Sequence, residues 1–226
     1  IDVFIIYTSM NYPIKIAHRG YCLNHKSNTM GAFHDAVSHG FDMIEMDLQL
    51  NKNNDIIVMH DTFINGKEVC MQEYSDLKWN NPELLLLEVF FQLFDYTKTK
   101  IYFDMKGDKE LAHILHKLIV KMNIDTTNIW FASFNMKHID ILNCSDKEYQ
   151  LGYITDNIMT QDILHSITDK YALKFVCFQW EMLDHETIDE LHKRDVLVFI
   201  YTLQNIHTLD CLKKYSIDGI VSDIIL

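Results

Sequence analysis

Apolar runs with strand-like spacing occur at nine places along the chain, and stretches with apolar residues at helical spacing lie between them. The nine strand-like runs are residues 14–18, 43–50, 56–60, 101–106, 129–134, 150–155, 174–180, 196–202 and 217–222. Helical spacing is clear at 111–122 and at 30–37, the latter after a helix cap at Asn28 or Thr29. This alternation predicts a parallel sheet, either open or closed into a barrel.

The second and third runs are predicted to form a hairpin. Their connector, residues 51–55, is far too short for the crossover helix that parallel strands need. Run 56–60 is therefore an antiparallel appendage, and a turn centred between the third and fourth connector residues places His60 opposite Asp47. Eight strands remain, which predicts an α/β fold of the (β/α)8 TIM-barrel type with a β-hairpin extension on strand 2. A doubly wound open sheet is the alternative architecture.

The positions of the eight predicted barrel strands also give expectations for the chain ends and the domain organisation. Only four residues follow the eighth run, so no C-terminal eighth helix is expected, and residues 2–11 are expected to cover that gap. No Pro/Gly/Ser-rich linker or charge block interrupts the sequence. Residues 1–226 are therefore expected to form a single domain.

Two acidic residues share one face of the second strand. Glu45, Asp47 and Gln49 alternate with apolar neighbours, so the apolar face is expected to pack against helices and the carboxylates to face the lumen. Two like charges there would be costly unless a cation or a shared proton neutralised them. The alternative is a polar strand face in contact with water. His60, beside this pair and followed by Asp61, is typical of a histidine positioned for acid–base work.

The third strand repeats the pattern. Asp104 and Lys106 share the face opposite Phe103, and Asp104 is expected to approach the carboxylates of the neighbouring strand. Three carboxylates at adjacent strand ends are typical of a site for one divalent cation, Mg²⁺ or Ca²⁺. Lys106 then supplies a positive charge for a phosphate oxygen, or alternatively forms an ion pair with Asp104.

Polar residues also end the first strand. His18 and Arg19 precede Gly20 at the face of a parallel barrel where catalytic groups lie, with an ordinary surface turn as the alternative. Two imidazoles, a guanidinium, an ammonium and three carboxylates together suit metal-assisted phosphodiester cleavage. Trp180 and Tyr201, near the ends of the sixth and seventh strands, are predicted to line the substrate pocket, with core capping as the alternative.

Net charge, cysteine content and the length of apolar runs bear on the partners and the cellular compartment of the protein. The net charge of −12 argues against nucleic acid as a broad-surface partner. Five scattered cysteines without a C-x-x-C pair favour free thiols in a reducing compartment. The early apolar run at 3–7 is far below the roughly 20 residues of a transmembrane helix, so a soluble intracellular protein is expected. The oligomeric state stays open.

Seven short motifs follow one another along nearly the whole chain. They are His18-Arg19-Gly20, Asn28-Thr29, Glu45-x-Asp47, His60-Asp61, Asp104-x-Lys106, Ser133-Phe134 and the closing Asp218-Gly219-Ile220-Val221-Ser222-Asp223. In this ordered set the chain resembles the glycerophosphodiester phosphodiesterase family, a (β/α)8 barrel group related to the phospholipase-C-like phosphodiesterases.

The resemblance implies a metal-dependent hydrolase that cleaves a small glycerophosphodiester to glycerol 3-phosphate and an alcohol through a cyclic phosphate. The implied roles are acid–base catalysis by His18 and His60, binding of one divalent cation by Glu45, Asp47 and Asp104, and phosphate binding by Arg19 and Lys106. Ser27 and Asp104 stand where the family usually has glutamate. Because Asp-x-Lys is typical of the related sphingomyelinase-D-like toxins, sphingomyelinase-D-like or lysophospholipase-D-like cleavage of choline phospholipids is an alternative. A catalytically idle binding barrel is another.

Overall fold

Eight parallel strands close into a barrel in the computed structural model, which describes residues 13–226. The strands of the described part are β1 (Ile14–Ala17), β2 (Met43–Leu50), β3 (Ile56–Val58), β4 (Phe63–Ile64), β5 (Lys67–Glu68), β6 (Leu85–Leu86), β7 (Lys100–Met105), β8 (Ile129–Ser133), β9 (Gln150–Thr155), β10 (Leu173–Gln179), β11 (Leu197–Leu203) and β12 (Gly219–Ser222). Around the barrel the order is β1, β2, β7, β8, β9, β10, β11 and β12, and β12 pairs with β1 to close the ring. The predicted TIM-type barrel is confirmed.

Helices connect successive barrel strands. They are α1 (Met30–Ser38), α2 (Tyr74–Asn80), α3 (Leu87–Leu93), α4 (Glu110–Lys121), α5 (Met136–Asn143), α6 (Gln161–Lys170), α7 (His185–His192) and α8 (Ile206–Leu212), with 3-10 turns at Val69–Met71 and Trp180–Met182. The four residues after β12 form no helix, and residues 2–11, expected near that end of the barrel, lie outside the described residues. No helix within 13–226 is both long enough and apolar enough to cross a membrane.

The hairpin on β2 has a register one residue away from the predicted one. β3 runs antiparallel to β2 with Leu48 opposite Val58, which puts Met59 rather than His60 beside Asp47. The amide of Met59 donates to the carbonyl oxygen of Asp47 at 2.9 Å. The expectation that His60 stands directly opposite Asp47 is therefore wrong.

The turn between β2 and β3 explains this shift. The side-chain oxygen of Asn51 accepts hydrogen bonds from the amides of Asn53 and Asp55 at 2.9 and 2.8 Å. The amide of Asn51 also donates to the carbonyl of Asp55. These contacts close a five-residue loop centred on Asn53, whereas the predicted turn is centred between Asn53 and Asn54. Because the centre moves by half a residue, each residue of β2 pairs with a residue one position earlier in β3.

Alternation along the strands separates two apolar cores. Outward side chains of β2, among them Ile44 and Met46, pack against the helices in the larger core. Inward side chains fill the barrel itself; its buried members are Ile16, Met43, Tyr102, Ala132, Ile154, Phe175, Cys177, Phe199 and Val221. The rings of Trp130 and Phe199 stack there, with centroids 5.6 Å apart. The barrel interior is a packed core, and polar strand residues collect at its carboxyl ends.

A substitution at Gly152 on β9 would test this packing. A methyl group at this position would lie 2.2 Å from ring carbons of Phe175, far inside van der Waals contact. We expect Gly152→Ala to lower the free energy of unfolding in urea by about 1–3 kcal/mol, because the ring must move within its aromatic cluster. In a Phe175→Leu background the same substitution should cost less, and an equal cost in both backgrounds would contradict the packing explanation.

Candidate active site

Three acidic side chains from two adjacent strands meet at the carboxyl ends of the barrel. Asp47 on β2 and Asp104 on β7 are parallel register partners, and Glu45 lies two residues earlier on the same face of β2. Glu45 is 4% exposed, Asp47 1% and Asp104 8%. One oxygen from each residue lies within 4.8 Å of the others. The structure thus brings together the three carboxylates that the strand pattern predicted to converge.

Burial and mutual repulsion make this cluster costly to ionise. The pKa of Glu45 lies well above its ordinary value, because burial and the negative charges of Asp47 and Asp104 disfavour its carboxylate. The pKa of Asp104 is also raised, since burial and the charge of Asp47 outweigh the opposing effect of Lys106. Neighbouring donors and cations therefore decide whether the cluster can exist as an anion.

Lys106 forms ion pairs with two of the three carboxylates. Its Nζ lies 2.6 Å from Oδ2 of Asp104 and 3.1 Å from Oδ1 of Asp47. Although burial opposes it, the charges of these two residues raise the pKa of Lys106, so the side chain stays an ammonium. The ion pair predicted as the alternative to phosphate binding is present.

Arg19 reaches the cluster from the turn after β1. Its backbone is left-handed at φ 58°, and Gly20 follows at φ 80°, where a Cβ would lie 2.7 Å from the backbone of Ala32. The amide of Arg19 donates to Oε2 of Glu45 at 2.7 Å. Its Nε lies 3.1 Å from Oδ2 of Asp47, an ion-pair distance without hydrogen-bond alignment. Both carboxylates of β2 therefore contact this one residue.

Asn28 is a residue of this site for which the sequence predicted no role beyond a possible helix cap. Its Nδ2 donates to Oδ2 of Asp47 at 2.7 Å, and its Oδ1 accepts from the amide of Asp47 at 3.2 Å. Thr29 caps α1 instead, through its hydroxyl and the amide of Ala32. The Asn28-Thr29 motif is the sequence feature that could have indicated this role. Because Thr29 caps the helix, the side chain of Asn28 is free to make other contacts.

His18 is held by a carboxylate that follows β12. Its Nδ1 lies 2.7 Å from Oδ1 of Asp223, and Gln204 donates to the other oxygen of Asp223 at 3.1 Å. An ionised carboxylate only accepts, so Nδ1 carries the proton and Nε2 is left for other partners. Partial burial opposes ionisation, but the hydrogen bond from His18 holds the pKa of Asp223 below its usual value. Asp223 ends the last motif, and the sequence assigned it no role.

His60 has a more exposed version of the same arrangement. Its Nδ1 lies 3.1 Å from Oδ1 of Asp61, and the two side chains are 42% and 73% exposed. The corresponding fractions for His18 and Asp223 are 18% and 38%. Despite the one-residue shift of the hairpin, His60 reaches the same cavity as the three carboxylates.

One cavity of about 150 Å³ joins these groups. Its lining residues are His18, Arg19, Glu45, Asp47, His60, Tyr102, Asp104, Lys106, Phe134, Ile154, Tyr201, Thr202 and Val221. Tyr201 contributes to the wall, and its ring meets that of Phe134 edge-on with 5.9 Å between centroids. The cavity therefore combines charged groups with an apolar, partly aromatic surface.

Trp180, predicted to line the pocket, is absent from the cavity wall. Side chains alternate along β10, so Phe175 and Cys177 belong to the inner core while Phe178 belongs to the outer one. Trp180 begins the 3-10 turn that follows β10, and its side chain packs, like that of Phe178, against the outer core. The prediction is wrong because it used the strand end alone and ignored which face the residue occupies.

Ser133 and His138 support the loop after β7. The hydroxyl of Ser133 donates to the carbonyl of Met105 at 2.5 Å, and Nδ1 of His138 lies 2.9 Å from the same hydroxyl. Nε2 of His138 lies 2.7 Å from the carbonyl oxygen of Asp108. Both side chains are fully buried. The backbone is thus held on either side of Lys106, although the residue types alone gave no signal for this role.

The chain is similar in sequence to known phosphodiesterases. A model of the glycerophosphoryl diester phosphodiesterase family matches residues 18–90, which contain the first four motifs. A glycerophosphodiester phosphodiesterase of Caldanaerobacter subterraneus is 24% identical over 228 residues, which cover 92% of this chain and 93% of that protein. Lysophospholipase D GDPD1 of Rattus norvegicus is 38% identical over 79 residues, 34% of this chain and 25% of that protein.

The chain also shares its fold with solved structures. A phosphodiesterase of Oleispira antarctica, solved in complex with the product sn-glycerol-3-phosphate, superposes with a TM-score of 0.82 at 16% identity, covering 94% of each chain. At this identity the similarity shows the fold alone. Together with the sequence matches it supports the resemblance that the motifs indicate: over most of its length the chain is similar to glycerophosphodiester phosphodiesterases.

Proposed function

We propose that this chain hydrolyses glycerophosphodiesters to glycerol 3-phosphate and an alcohol. The observation that carries the proposal is one small cavity lined by two aspartate-held histidines, three buried carboxylates and two cationic side chains. The relatives support it. A relative that matches over 92% of this chain is named a glycerophosphodiester phosphodiesterase, and the Oleispira antarctica phosphodiesterase was solved with the product that this reaction would release.

The two histidines suit the roles of general acid and general base. Asp223 and Asp61 accept from Nδ1 of His18 and His60, which fixes the tautomer and leaves each Nε2 for the substrate. One imidazole would take the proton of the glycerol hydroxyl as its oxygen attacks phosphorus, and the other would protonate the leaving alcohol. The product of this attack is a five-membered cyclic phosphate. Water would open it by the reverse proton transfers.

Charge balance supports a divalent cation in the cavity. With its three carboxylates ionised, the cluster exceeds the charges of Arg19 and Lys106 by one negative charge. A bound phosphodiester adds one more. A divalent cation would neutralise the total, which matters because charges in a buried site are poorly screened by water.

The residues present fit such an ion. Oδ1 of Asp104 is buried and lacks a hydrogen-bond partner among residues 13–226, which leaves an acceptor for a cation. Glu45, Asp47 and Asp104 would hold the ion, and carboxylate oxygens suit Mg²⁺ or Ca²⁺. When bound, the ion would supply Lewis-acid stabilisation of the phosphoryl oxygens. Arg19 and Lys106 would bind phosphate beside it, since the ion would share their carboxylate partners.

Lysophospholipids are a second candidate substrate class. The lysophospholipase D of Rattus norvegicus matches part of the chain at 38% identity. Phe134 lends structural support, because it lines the cavity and is 43% exposed, so an acyl chain leaving the cavity would pack against it. Turnover of lysophosphatidylcholine without turnover of glycerophosphocholine would favour this second class.

Alanine at either histidine tests the acid–base assignment. We expect His18→Ala and His60→Ala each to lower kcat for glycerophosphocholine by at least about 10²-fold, since general acid–base catalysis typically contributes that much or more. The measurement is release of glycerol 3-phosphate. His113→Ala, at an exposed position of α4, is the matched control and should keep wild-type turnover. Near-normal kcat in either site variant would defeat the assignment.

The two aspartates that hold the histidines should differ in importance. Asp223→Asn is expected to lower kcat by about 10- to 100-fold, because a partly buried carboxylate that fixes a ring is lost. Asp61→Asn is expected to cost less than about fivefold, because that pair is more exposed and solvent weakens it. Steady-state kinetics on the same substrate checks the order, and the reverse order would count against the role of Asp223.

Ion binding should be visible without any activity measurement. At about 100 times its Kd, Mg²⁺ or Ca²⁺ should raise the free energy of unfolding by about 2.7 kcal/mol, seen as a higher Tm. Asp104→Asn should remove most of this rise, whereas Asp146→Asn, with its side chain 89% exposed, should retain it. A full rise in Asp104→Asn would contradict the site, as would full activity in the presence of EDTA.

The same Tm measurement should depend on pH. Because the pKa values of Glu45 and Asp104 are raised, the folded ion-free chain keeps protons that the unfolded chain has lost. Its stability should therefore fall as the pH rises above about 4.5, the ordinary pKa of glutamate. The ion binds the ionised form, so its stabilising effect should be larger at neutral pH. A pH-independent effect would contradict this cause.

A further inference from the structure

Gln49, at the end of β2, is a buried residue with no part in the proposed chemistry. It lies on the same face as Asp47 and is 6% exposed. Its Nε2 lies 2.9 Å from the carbonyl oxygen of Met59, 2.8 Å from that of His60 and 3.1 Å from that of Asp61. One amide nitrogen thus donates to three consecutive backbone carbonyls.

This contact matters because few other hydrogen bonds among residues 13–226 hold the backbone of residues 59–61, although the side chain of Met59 also packs against the small buried cluster around Ile57. Residues 59–61 lie outside β3, and the contact that follows the β2–β3 ladder is the amide of Met59 on the carbonyl of Asp47. The side chain of His60 is 42% exposed, and its ring partner Asp61 is more exposed still, so packing contributes little to its orientation. A carboxamide has only two N–H groups, so the three carbonyl oxygens must share them. All three oxygens therefore point toward Nε2, and the backbone of residues 59–61 curves around it.

We propose that Gln49 is a positioning residue for His60, because its carboxamide gathers these three carbonyls and so fixes the backbone that carries the imidazole into the cavity. The inference rests on the proposed acid–base role of His60. Glutamine suits the task because it donates without adding a charge beside the three carboxylates. A glutamate would turn lone pairs toward three carbonyl oxygens, and a methionine of similar shape would offer no donor.

A second glutamine provides a matched control. Gln72 is 7% exposed, and its Nε2 lies 3.3, 2.9 and 3.3 Å from the carbonyl oxygens of Ile64, Lys67 and Glu68. Those carbonyls belong to the β4–β5 hairpin, which contributes no residue to the cavity wall. Gln72→Met therefore removes the same kind of contact at similar burial, away from the segment that carries His60.

The test measures kinetics on glycerophosphocholine and NMR signals of the histidine rings in the full chain. Gln49→Met is expected to lower kcat by about 10- to 100-fold with KM changed less than about threefold, because a misplacement of about 1 Å can cost about 10²-fold. The ring signals of His60 should shift or broaden while those of His18 stay in place. Gln72→Met should keep kcat within about twofold of wild type and leave both histidines unchanged.

Several outcomes would overturn the inference. They are wild-type kcat with an unmoved His60 signal in Gln49→Met, an equal loss in Gln72→Met, or a matching displacement of His18, which would report damage to the whole site. If Gln49→Met fails to fold, Gln49→Asn keeps the carboxamide but is one methylene too short, and it gives the same test. If the wild-type chain does not cleave glycerophosphodiesters, the proposed function fails, and the NMR comparison still decides whether Gln49 places His60.

Discussion

Three buried carboxylates repel one another at the carboxyl ends of the barrel, and the surrounding residues offset this repulsion. Their oxygens lie within 4.8 Å of one another, and no member is more than 8% exposed. Such a cluster is unfavourable unless donors and cations surround it. Arg19 and Asn28 reach it from the loop after β1, and Lys106 reaches it from the end of β7. These three residues thus offset part of the negative charge of the cluster. A divalent cation would neutralise the charge that remains.

The barrel keeps its apolar interior apart from the polar residues of the site. Inward side chains fill the interior below the cavity, and the polar residues lie where the strands end. A further set of buried or partly buried groups holds the cavity residues in place. Asp223 orients one imidazole, Gln49 contacts the backbone that carries the other, and Ser133 with His138 ties down the loop around Lys106. Catalytic geometry of this kind depends on residues that never touch the substrate.

Period-two alternation was enough to predict most of the fold and the three carboxylates, because it tells which strand residues face the lumen. The same rule, applied to Trp180, would have placed it on the outer face. The hairpin register depended on side-chain hydrogen bonds of Asn51, which strand patterns do not contain. Asn28 and Asp223 were missed as site residues because their partners lie 19 and 205 positions away along the chain. Only the closed barrel brings such residues together.

We propose that the acidic cluster binds one divalent cation at the mouth of the barrel. Anomalous diffraction from a crystal grown with Mn²⁺, a stand-in for Mg²⁺ with a strong anomalous signal, tests it most directly. We expect one anomalous peak within bonding distance of oxygens from Glu45, Asp47 and Asp104. Full-occupancy binding elsewhere on the chain, or no peak at this cluster at saturating Mn²⁺, would contradict it.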